Sequence, residues 1–510
     1  MLNQLTVENF KAFGEKQTIP LAPITLVFGG NSAGKSSVIQ AILLMRQSVG
    51  KPDRTFAPRP AELVVRGDLT DLGSFDALIH RHERDRELEV GWSSPLSANR
   101  LFGSAFSMHD SLACSTALRF QRTLRSTEIR HTGSSIGAAD GYIDFERLDS
   151  SSSIGRIAKE LLGAGAHPGE RDVLVADVPD TYRLLQLSAS LERQPRSTTP
   201  GDHDQPISLA TILHAVRQNE CRAVVTNSAG VPSRVVGLQT QSGGVSARDL
   251  ARQRQSTLFD EDVILHGAIQ LMDDWVSESG RVTRRAIGMV SYLGPMRQAP
   301  ERLHVLSGEP VRGSGSRGQH VVDLLARRPS VLRDVNQWFT KLEIPYDLDI
   351  RTVTDKAVAG AIGEVHCLLL RDRRTGVEVA PTDVGFGIGQ VLPIVVESVI
   401  SREGTLCIEQ PEIHLHPALQ AKLGELFADR VQKGHQQFVL ETHSEHLILR
   451  LQRLVRRGTL RPDQLAVLHV GADPDGQGRI RHLRLGENGD FLDEWPNGFF
   501  DERFDELFED

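Results

Sequence analysis

Near the start of the chain, Gly29-Gly30-Asn31-Ser32-Ala33-Gly34-Lys35-Ser36-Ser37 has the residue types and spacing to hold phosphate. It reads G-x-x-x-x-G-K-S, a P-loop pattern in which successive backbone N–H groups and a following helix N-terminus cradle phosphate oxygens. Gly29 and Gly34 permit backbone angles and close approach that a Cβ would forbid. Lys35 is spaced to reach the β- and γ-phosphates of a nucleotide, and the Ser36 hydroxyl to ligate Mg²⁺. Asn31, Ser32, Ala33 and Ser37 complete the loop. A second acidic element lies far downstream. The apolar run Leu406-Cys407-Ile408 ends in Glu409, an acid suited to a Mg²⁺ shell, and Gln410-Pro411-Glu412 follows. A neutral amide such as Gln410 orients water but cannot take its proton, whereas Glu412 can.

The flanking elements suit these roles. Ile24-Thr25-Leu26-Val27-Phe28 is a short β-branched apolar run, which predicts a buried strand. Val38, Ile39, Ala41, Ile42, Leu43 and Met45 predict an apolar helix directly behind the loop. Downstream, strands are expected at Met289–Leu293, Tyr346–Val353, His366–Arg371, Val377–Ala380, Thr405–Ile408, Gln437–Leu440, Leu465–Val470 and Ile480–Leu485. Helices are expected at Val321–Ala326, Val331–Leu342, Pro417–Val431 and Glu445–Arg457, and a glycine-rich loop, Asp383 to Gln390, runs into another. Between Ser93 and Arg285 the pattern weakens. Short alternating runs at Ala117–Arg122, Glu128–Thr132, Tyr142–Phe145 and Ala223–Thr226 predict strands, and Ile207–Asn219 and Asp260–Glu278 predict helices. The Ser/Gly/Pro-rich tracts Ser150–Ser153 and Ser197–Gln205 read as loops. There is no long heptad array and no internal repeat. These patterns divide the chain into 1–92 with the phosphate loop, an insertion at 93–288, a second catalytic part at 289–485, and an acidic, aromatic tail at 486–510.

The chain has 510 residues and a net charge of −8. That size supports more than one core, and the charge offers no global basic field for nucleic acid. The cysteines, Cys114, Cys221, Cys367 and Cys407, are scattered without C-x-x-C spacing, as in a reducing compartment. No apolar run is long enough to span a bilayer, the N-terminus alternates like a strand, and a cytoplasmic location is expected.

The opening LTVENFKAF, the P-loop, the E-Q-P-E-I-H-L-H-P element from Glu409 to Pro417 and the T-H-S of Thr442 to Ser444 together resemble ABC-type ATPases of the SMC/RecF/OLD group, commonly described as AAA-family ATPases. The closing GDFLDEWPNGFFDERFDELFE is similar to a C-terminal domain of unknown function on one branch of that group. The resemblance implies an α/β fold, a mixed sheet with flanking helices assembled from the N- and C-terminal segments, with an α/β insertion between them. It implies two heads dimerising head to tail around two ATP molecules, with Mg²⁺. By that resemblance Lys35 and Ser36 hold phosphate and Mg²⁺, and Glu409 is the metal-shell acid. His443 is the switch histidine at the γ-phosphate. Asp383, Gly385 and Gly387 belong to the signature loop, which contacts the partner's nucleotide. This sequence departs from the pattern at Gln410, where the catalytic Glu usually stands, and at Gly385, where the signature serine usually stands.

The resemblance further implies a subunit of a bacterial anti-phage defence system, working with a separate nuclease or toxin. Two alternatives stand beside it: a RecF-like DNA maintenance ATPase that binds DNA directly, and a nucleotide-clamped scaffold with little turnover. His414 and His416 have metal-like spacing, read as interface residues of the H-L-H-P element. Glu441 followed by Asp473-Pro474-Asp475-Gly476 has a nuclease-like acid order, but D-P-D-G is also strong turn chemistry. The basic helix carrying Arg450, Arg453, Arg456 and Arg457 reads as a solvated face, with nucleic acid as the alternative.

Overall fold

The computed structural model describes residues 1–50, 62–97, 111–123, 128–138, 141–147, 173–177, 179–181, 215–216, 218, 220–229, 231–239, 244–246, 261–298, 301–306, 311, 313–353, 361–401 and 403–496. They form two compact units. The first comprises Met1, Ile19–Leu43 and the described residues of 289–510; the second comprises Leu2–Thr18 and the described residues of 44–288. The expected 1–92 stretch is thus shared between both units.

The first unit is α/β. Its central sheet contains β1 (Ile24–Gly29), β2 (Val290–Leu293), β5 (Glu403–Glu409), β6 (His435–Glu441), β7 (Leu465–Ala472) and β8 (Gly478–Leu483), in the order β2-β5-β6-β1-β7-β8. All neighbours are parallel except the β7–β8 hairpin at the edge. Parallel strands buried on both faces require continuous apolar runs, and β1 is buried at every position. Helices make the crossovers: α5 (Pro417–Lys433) joins β5 to β6, and α6 (Glu445–Arg456) joins β6 to β7. A smaller sheet carries β3 (Tyr346–Val353) and β4 (Val365–Asp372), paired antiparallel, with helices α2 (Val321–Arg327) and α3 (Pro329–Lys341) before it. Helix α4 (Gly387–Ile400) follows the glycine-rich loop. One apolar core draws on all of these, including Phe28, Phe339, Val395, Phe427 and Phe438. The expected elements here appear within one to three residues at each end. The start of the acidic tail folds onto this core: Trp495 meets Phe28 edge-on at 5.1 Å and Phe491 at 4.6 Å. The remainder of the expected tail, 497–510, lies outside the described residues.

The second unit is built on a ten-stranded sheet that is antiparallel at every pairing from Gly244–Ser246 through Gln4–Glu8, with Gln17–Pro20 at its far edge. The expected strands are present and longer than their sequence signals, for example Ser111–Arg122 and Ile129–Ala138. One long helix, Glu261–Gly288, lies on the strand Val231–Gln239. It lies flush because Gly280 has no side chain: a Cβ there would sit 2.1 Å from the Pro232 carbonyl oxygen. The buried Trp92 indole donates to the Thr283 carbonyl at 2.9 Å, so its polar atom is satisfied inside the core. The loop tracts at Ser150–Ser153 and Ser197–Gln205, and most of the Ile207–Asn219 helix, lie outside the described residues. No helix among the described residues is long and apolar enough to cross a membrane.

Candidate functional site

The carboxyl ends of β1, β6 and β5 lie side by side, which is where open α/β sheets place their ligands. β1 ends at Gly29, and helix α1 (Lys35–Ser48) begins at the loop's lysine. Gly29 has φ 143°, and a Cβ on it would stand 2.1 Å from the Val470 carbonyl oxygen of β7. Only glycine fits there. Gly34 has φ 102°, and Ser32 is left-handed at φ 61°. Asn31 and Ser32 are exposed and Ala33 half-buried at the loop tip, while Ser37 is buried in the first helical turn.

Lys35 is buried and folds back on its own loop. Its ammonium donates to the Gly30 carbonyl at 2.7 Å and the Gly29 carbonyl at 3.1 Å. Burial lowers its pKa from the ordinary lysine value, and the charge of Glu441 opposes that shift. The Ser36 hydroxyl donates to Glu441 Oε1 at 3.0 Å. Glu441 is 5% exposed, and its other oxygen, Oε2, is buried without a hydrogen-bond partner. Burial raises the Glu441 pKa, against the Ser36 hydrogen bond and the Lys35 charge, which lower it.

Glu409 stands one strand further from the loop, opposite Glu441 in the parallel register of β5 and β6. Its Oε1 accepts from the Tyr292 hydroxyl at 3.1 Å. Gln410 turns the chain with a left-handed φ of 45°, and its N–H donates to the Glu441 carbonyl at 2.8 Å. The buried Arg297 guanidinium donates to the carbonyls of Glu409 at 2.8 Å and Gln410 at 3.4 Å, so it braces this turn. Burial holds the Arg297 pKa down at about 10, and the nearby Glu412, Tyr292 and Glu409 act to raise it.

Glu412 bridges to the segment after β6. Its Oε2 accepts from the Thr442 hydroxyl at 2.8 Å and its Oε1 from the His443 N–H at 2.7 Å. Burial raises its pKa, while those hydrogen bonds lower it. A carboxylate with a raised pKa is the better proton acceptor. His443 is solvent-exposed as a residue, yet partial desolvation by its neighbours lowers its pKa first and the charge of Lys35 second.

The glycine-rich loop is open to solvent at Asp383, Gly385 and Phe386, the last 54% exposed. Asp383 pairs with Arg302 at 3.0 Å. The loop leans on the H-L-H-P element. Phe386 meets the His414 ring edge-on at 5.0 Å, and a Cβ on Gly387 would fall 2.9 Å from the His414 carbonyl. His416 caps α5 by accepting from the Ala418 N–H at 3.3 Å. Asp473 is committed to the β7–β8 turn, accepting from the Gln477 N–H at 2.8 Å and the Asp475 N–H at 3.1 Å. Arg456 pairs with Asp490 at 2.8 Å and Arg450 with Glu425.

The structure therefore brings Lys35, Ser36 and Glu441 together, and joins Glu412 to Thr442 and His443. It sets Glu409 on Tyr292. Tyr292 is an addition to the residues singled out from sequence, while Glu441, noted there only in a nuclease-like acid order, and Thr442, noted only within T-H-S, are brought into this cluster. Glu441 carries a legible signal: Phe438-Val439-Leu440-Glu441 is an apolar strand ending in an acid, just as Leu406-Cys407-Ile408-Glu409 is. Tyr292 carries none, since nothing local marks its strand as the neighbour of β5.

Ser36 and the free oxygen of Glu441 are hard oxygen donors, and they fit a Mg²⁺ ion that arrives with phosphates and takes one or two protein ligands. Among the described residues, no group of three or more His, Cys, Asp or Glu side chains is arranged to hold a metal ion by itself.

Residues 1–84 and 330–448 match the family model described as AAA ATPase domain. No curated protein matches the chain. Among solved structures, the chain is similar to an SMC head bound to the C-winged helix domain of ScpA, at 10% identity and TM-score 0.38, covering 95% of this chain and 98% of that one. It is also similar to the SMC head domain from Thermotoga maritima, at 10% identity and TM-score 0.38, with 95% and 99% covered. A Pyrococcus furiosus SMC head bound to the C-terminal domain of ScpA matches at 12% identity and TM-score 0.38, with 95% and 96% covered. The AAA ATPase match takes in the Gly29–Ser37 loop, the glycine-rich loop 383–390, Glu409, Glu412, Glu441 and His443.

Proposed function

We propose that this chain is a Mg²⁺-dependent ATPase head that binds ATP at the Gly29–Ser37 loop and hydrolyses it slowly. The observation that carries this is the convergence of Lys35, Ser36 and Glu441 at the carboxyl edge of a parallel sheet, within the AAA ATPase match. In this reading Lys35 leaves its loop carbonyls for the γ-phosphate, and the Ser36 hydroxyl and a carboxylate take the metal. His443 meets the phosphate end. Glu412 is the base, because Gln410 cannot accept a proton. The exposed Asp383, Gly385 and Phe386 with Gly387 complete the partner's site in a head-to-tail homodimer or higher oligomer.

We place such a head in the cytoplasm as the sensor or motor subunit of an anti-phage system with a separate nuclease or toxin. The commitment of Asp473 to a hairpin turn supports a separate effector. ATP hydrolysis by the purified chain, beside Lys35→Ala and Glu412→Gln, with mass measured with and without ATP, tests the reading. Turnover that both variants lose, with nucleotide-dependent assembly lost only in Lys35→Ala, is the expected result; absence of nucleotide binding rejects it. A second reading, a nucleotide-held scaffold, is favoured by Gln410 alone. It predicts assembly with ATP and no change on Glu412→Gln.

A further inference from the structure

We propose that Arg297, on the segment that leaves β2, is a positioning residue that fixes the turn carrying Glu412 in the geometry hydrolysis needs. The inference rests on the reading of Glu412 as the base and deepens it. The guanidinium is the first argument. It is 4% exposed, a rare place for a full charge. It gives its donors to main-chain oxygens, the Glu409 carbonyl at 2.8 Å and the Gln410 carbonyl at 3.4 Å. Its N–H groups form a rigid fork, so it sets the direction of both carbonyls at once, which a point charge cannot do. The second argument is how little chain separates that grip from Glu412. Only Pro411 lies between Gln410 and Glu412, and its ring locks φ. The orientation of the Gln410 carbonyl is therefore passed to the Glu412 backbone with little slack. The third is strain. Gln410 and His414, on either side of Glu412, hold left-handed φ values of 45° and 58°. Such conformations are costly for a residue with a side chain and persist only where the surroundings dictate them.

The segment that carries Arg297 is itself fixed. β2 pairs with β5 in parallel register, with Leu293 beside Ile408. Beyond β2, the Gly294 N–H donates to the Ser316 carbonyl and the Gln298 N–H to the Arg317 carbonyl, each at 2.8 Å, so Arg297 is anchored on both sides. From the same segment, Tyr292 donates to the Glu409 side chain at 3.1 Å. The strand end is thus held by its side chain and its main chain together. With the turn in place, the two Glu412 oxygens fall on the Thr442 hydroxyl and the His443 N–H. Without the guanidinium, the Gln410 carbonyl keeps the longer bond from the Ile413 N–H, at 3.3 Å, and the peptide ahead of Glu412 is free to rotate. A displacement of about 1 Å at a reacting group is enough to cost about 100-fold in rate. Arg297 touches neither nucleotide nor attacking water in this assignment; it acts through the turn.

The test compares the full wild-type chain with Arg297→Lys and Arg297→Ala, by steady-state ATP turnover and by equilibrium binding of a fluorescent ATP analogue in Mg²⁺. Both variants are expected to lose about 10- to 100-fold in kcat, with analogue affinity within about 3-fold of wild type. Added ethylguanidinium is expected to restore part of the turnover of Arg297→Ala, and ethylammonium, which has the charge without the fork, to restore less. A purely structural role would lower Tm and leave kcat per folded molecule unchanged, and that outcome overturns the proposal. Equal rescue by the two cations overturns it as well, as does a loss of nucleotide affinity as large as the loss of turnover. Should Arg297→Ala fail to fold, Arg297→Lys decides: a wild-type kcat there overturns the assignment. A wild-type chain that binds no ATP, or binds it without turnover, rejects the parent reading, a result distinct from turnover that survives the loss of Arg297.

Discussion

The two units place their buried polar groups differently. In the first, buried ionisable side chains gather at one sheet edge, and some stay incompletely satisfied: Glu441 Oε2 and Arg297 Nε have no hydrogen-bond partner. In the second, several buried polar groups close on one another along the sheet and helix, while Asp76 Oδ1, His131 Nδ1, Gln239 Oε1 and Trp275 Nε1 have no hydrogen-bond partner. The Trp92 indole meets Thr283, Thr116 lies 3.3 Å from the Thr283 hydroxyl, and Cys114 lies 3.4 Å from the Ser279 hydroxyl. A parallel sheet brings strand ends, and the loops after them, to one edge, so it assembles sites from distant segments. An antiparallel sheet alternates its strand ends and spends its polar side chains on helix docking. The difference is one of placement: the first unit gathers ionisable side chains at one strand edge, and the second spreads its polar side chains along the packing of its sheet and helix.

Four experiments sharpen or break this contrast. The largest effect is expected on chemistry in the first unit. Lys35→Ala should reduce ATP affinity by about 100-fold or more, since a buried charge-assisted contact to phosphate is lost. Glu412→Gln should lower turnover by about 10²- to 10⁴-fold at nearly unchanged ATP affinity, as removal of a general base does. Equilibrium ATP binding and steady-state turnover separate the two. Next comes packing in the second unit. Trp92→Ala should destabilise that unit by about 3–5 kcal/mol, read from denaturant unfolding, because a large buried side chain leaves a cavity and strands the Thr283 carbonyl.

A smaller effect is expected with pH. His131 is buried in the second unit against the Ser134 hydroxyl at 2.9 Å, and burial, with the charge of Arg147, holds its pKa down at about 3. The unfolded chain takes up the proton near pH 6.5 and the folded one does not. Stability from this group is therefore complete above pH 6.5 and falls by about 1.4 kcal/mol per pH unit below it, until about pH 3. Thermal unfolding at pH 7.5 and 5 should show the loss, and His131→Gln should flatten it. The smallest effect is expected on α6. The pair Arg456–Asp490 is exposed and Arg450–Glu425 partly so, and Arg456→Ala or Arg450→Ala should change stability by about 1 kcal/mol or less. A steep loss of DNA affinity in these variants at low salt would favour the RecF-like alternative.

Much of the first unit is legible from sequence because its elements are strongly patterned. Ile24–Gly29 is continuously apolar, Tyr346–Val353 matches its expected bounds, and Pro417 marks a helix start. The second unit is less so. Strands such as Ile129–Ala138, rich in Gly, Ser and Thr, owe their length to cross-strand pairing rather than to local propensity. The opening strand, Gln4–Glu8, shows the same limit. Its alternation announces a strand, but its partner, Leu88–Ser97, lies far along the chain.

The sequence alone determined the phosphate loop, because backbone N–H groups that cradle one ligand must come from consecutive residues with glycine at set positions. It also put a neutral amide at Gln410, two residues before the carboxylate of Glu412, and only the latter can accept a proton. Only the tertiary structure decided which acid faces the Ser36 hydroxyl. Ser36 and Glu441 are 405 residues apart, and two strands, β5 and β6, both end in Glu after an apolar run. Side-chain chemistry cannot separate two such strands. Their order in the sheet does, because the hydrogen-bonded neighbour of β1 is β6, and it is Glu441 on β6 that accepts from the Ser36 hydroxyl.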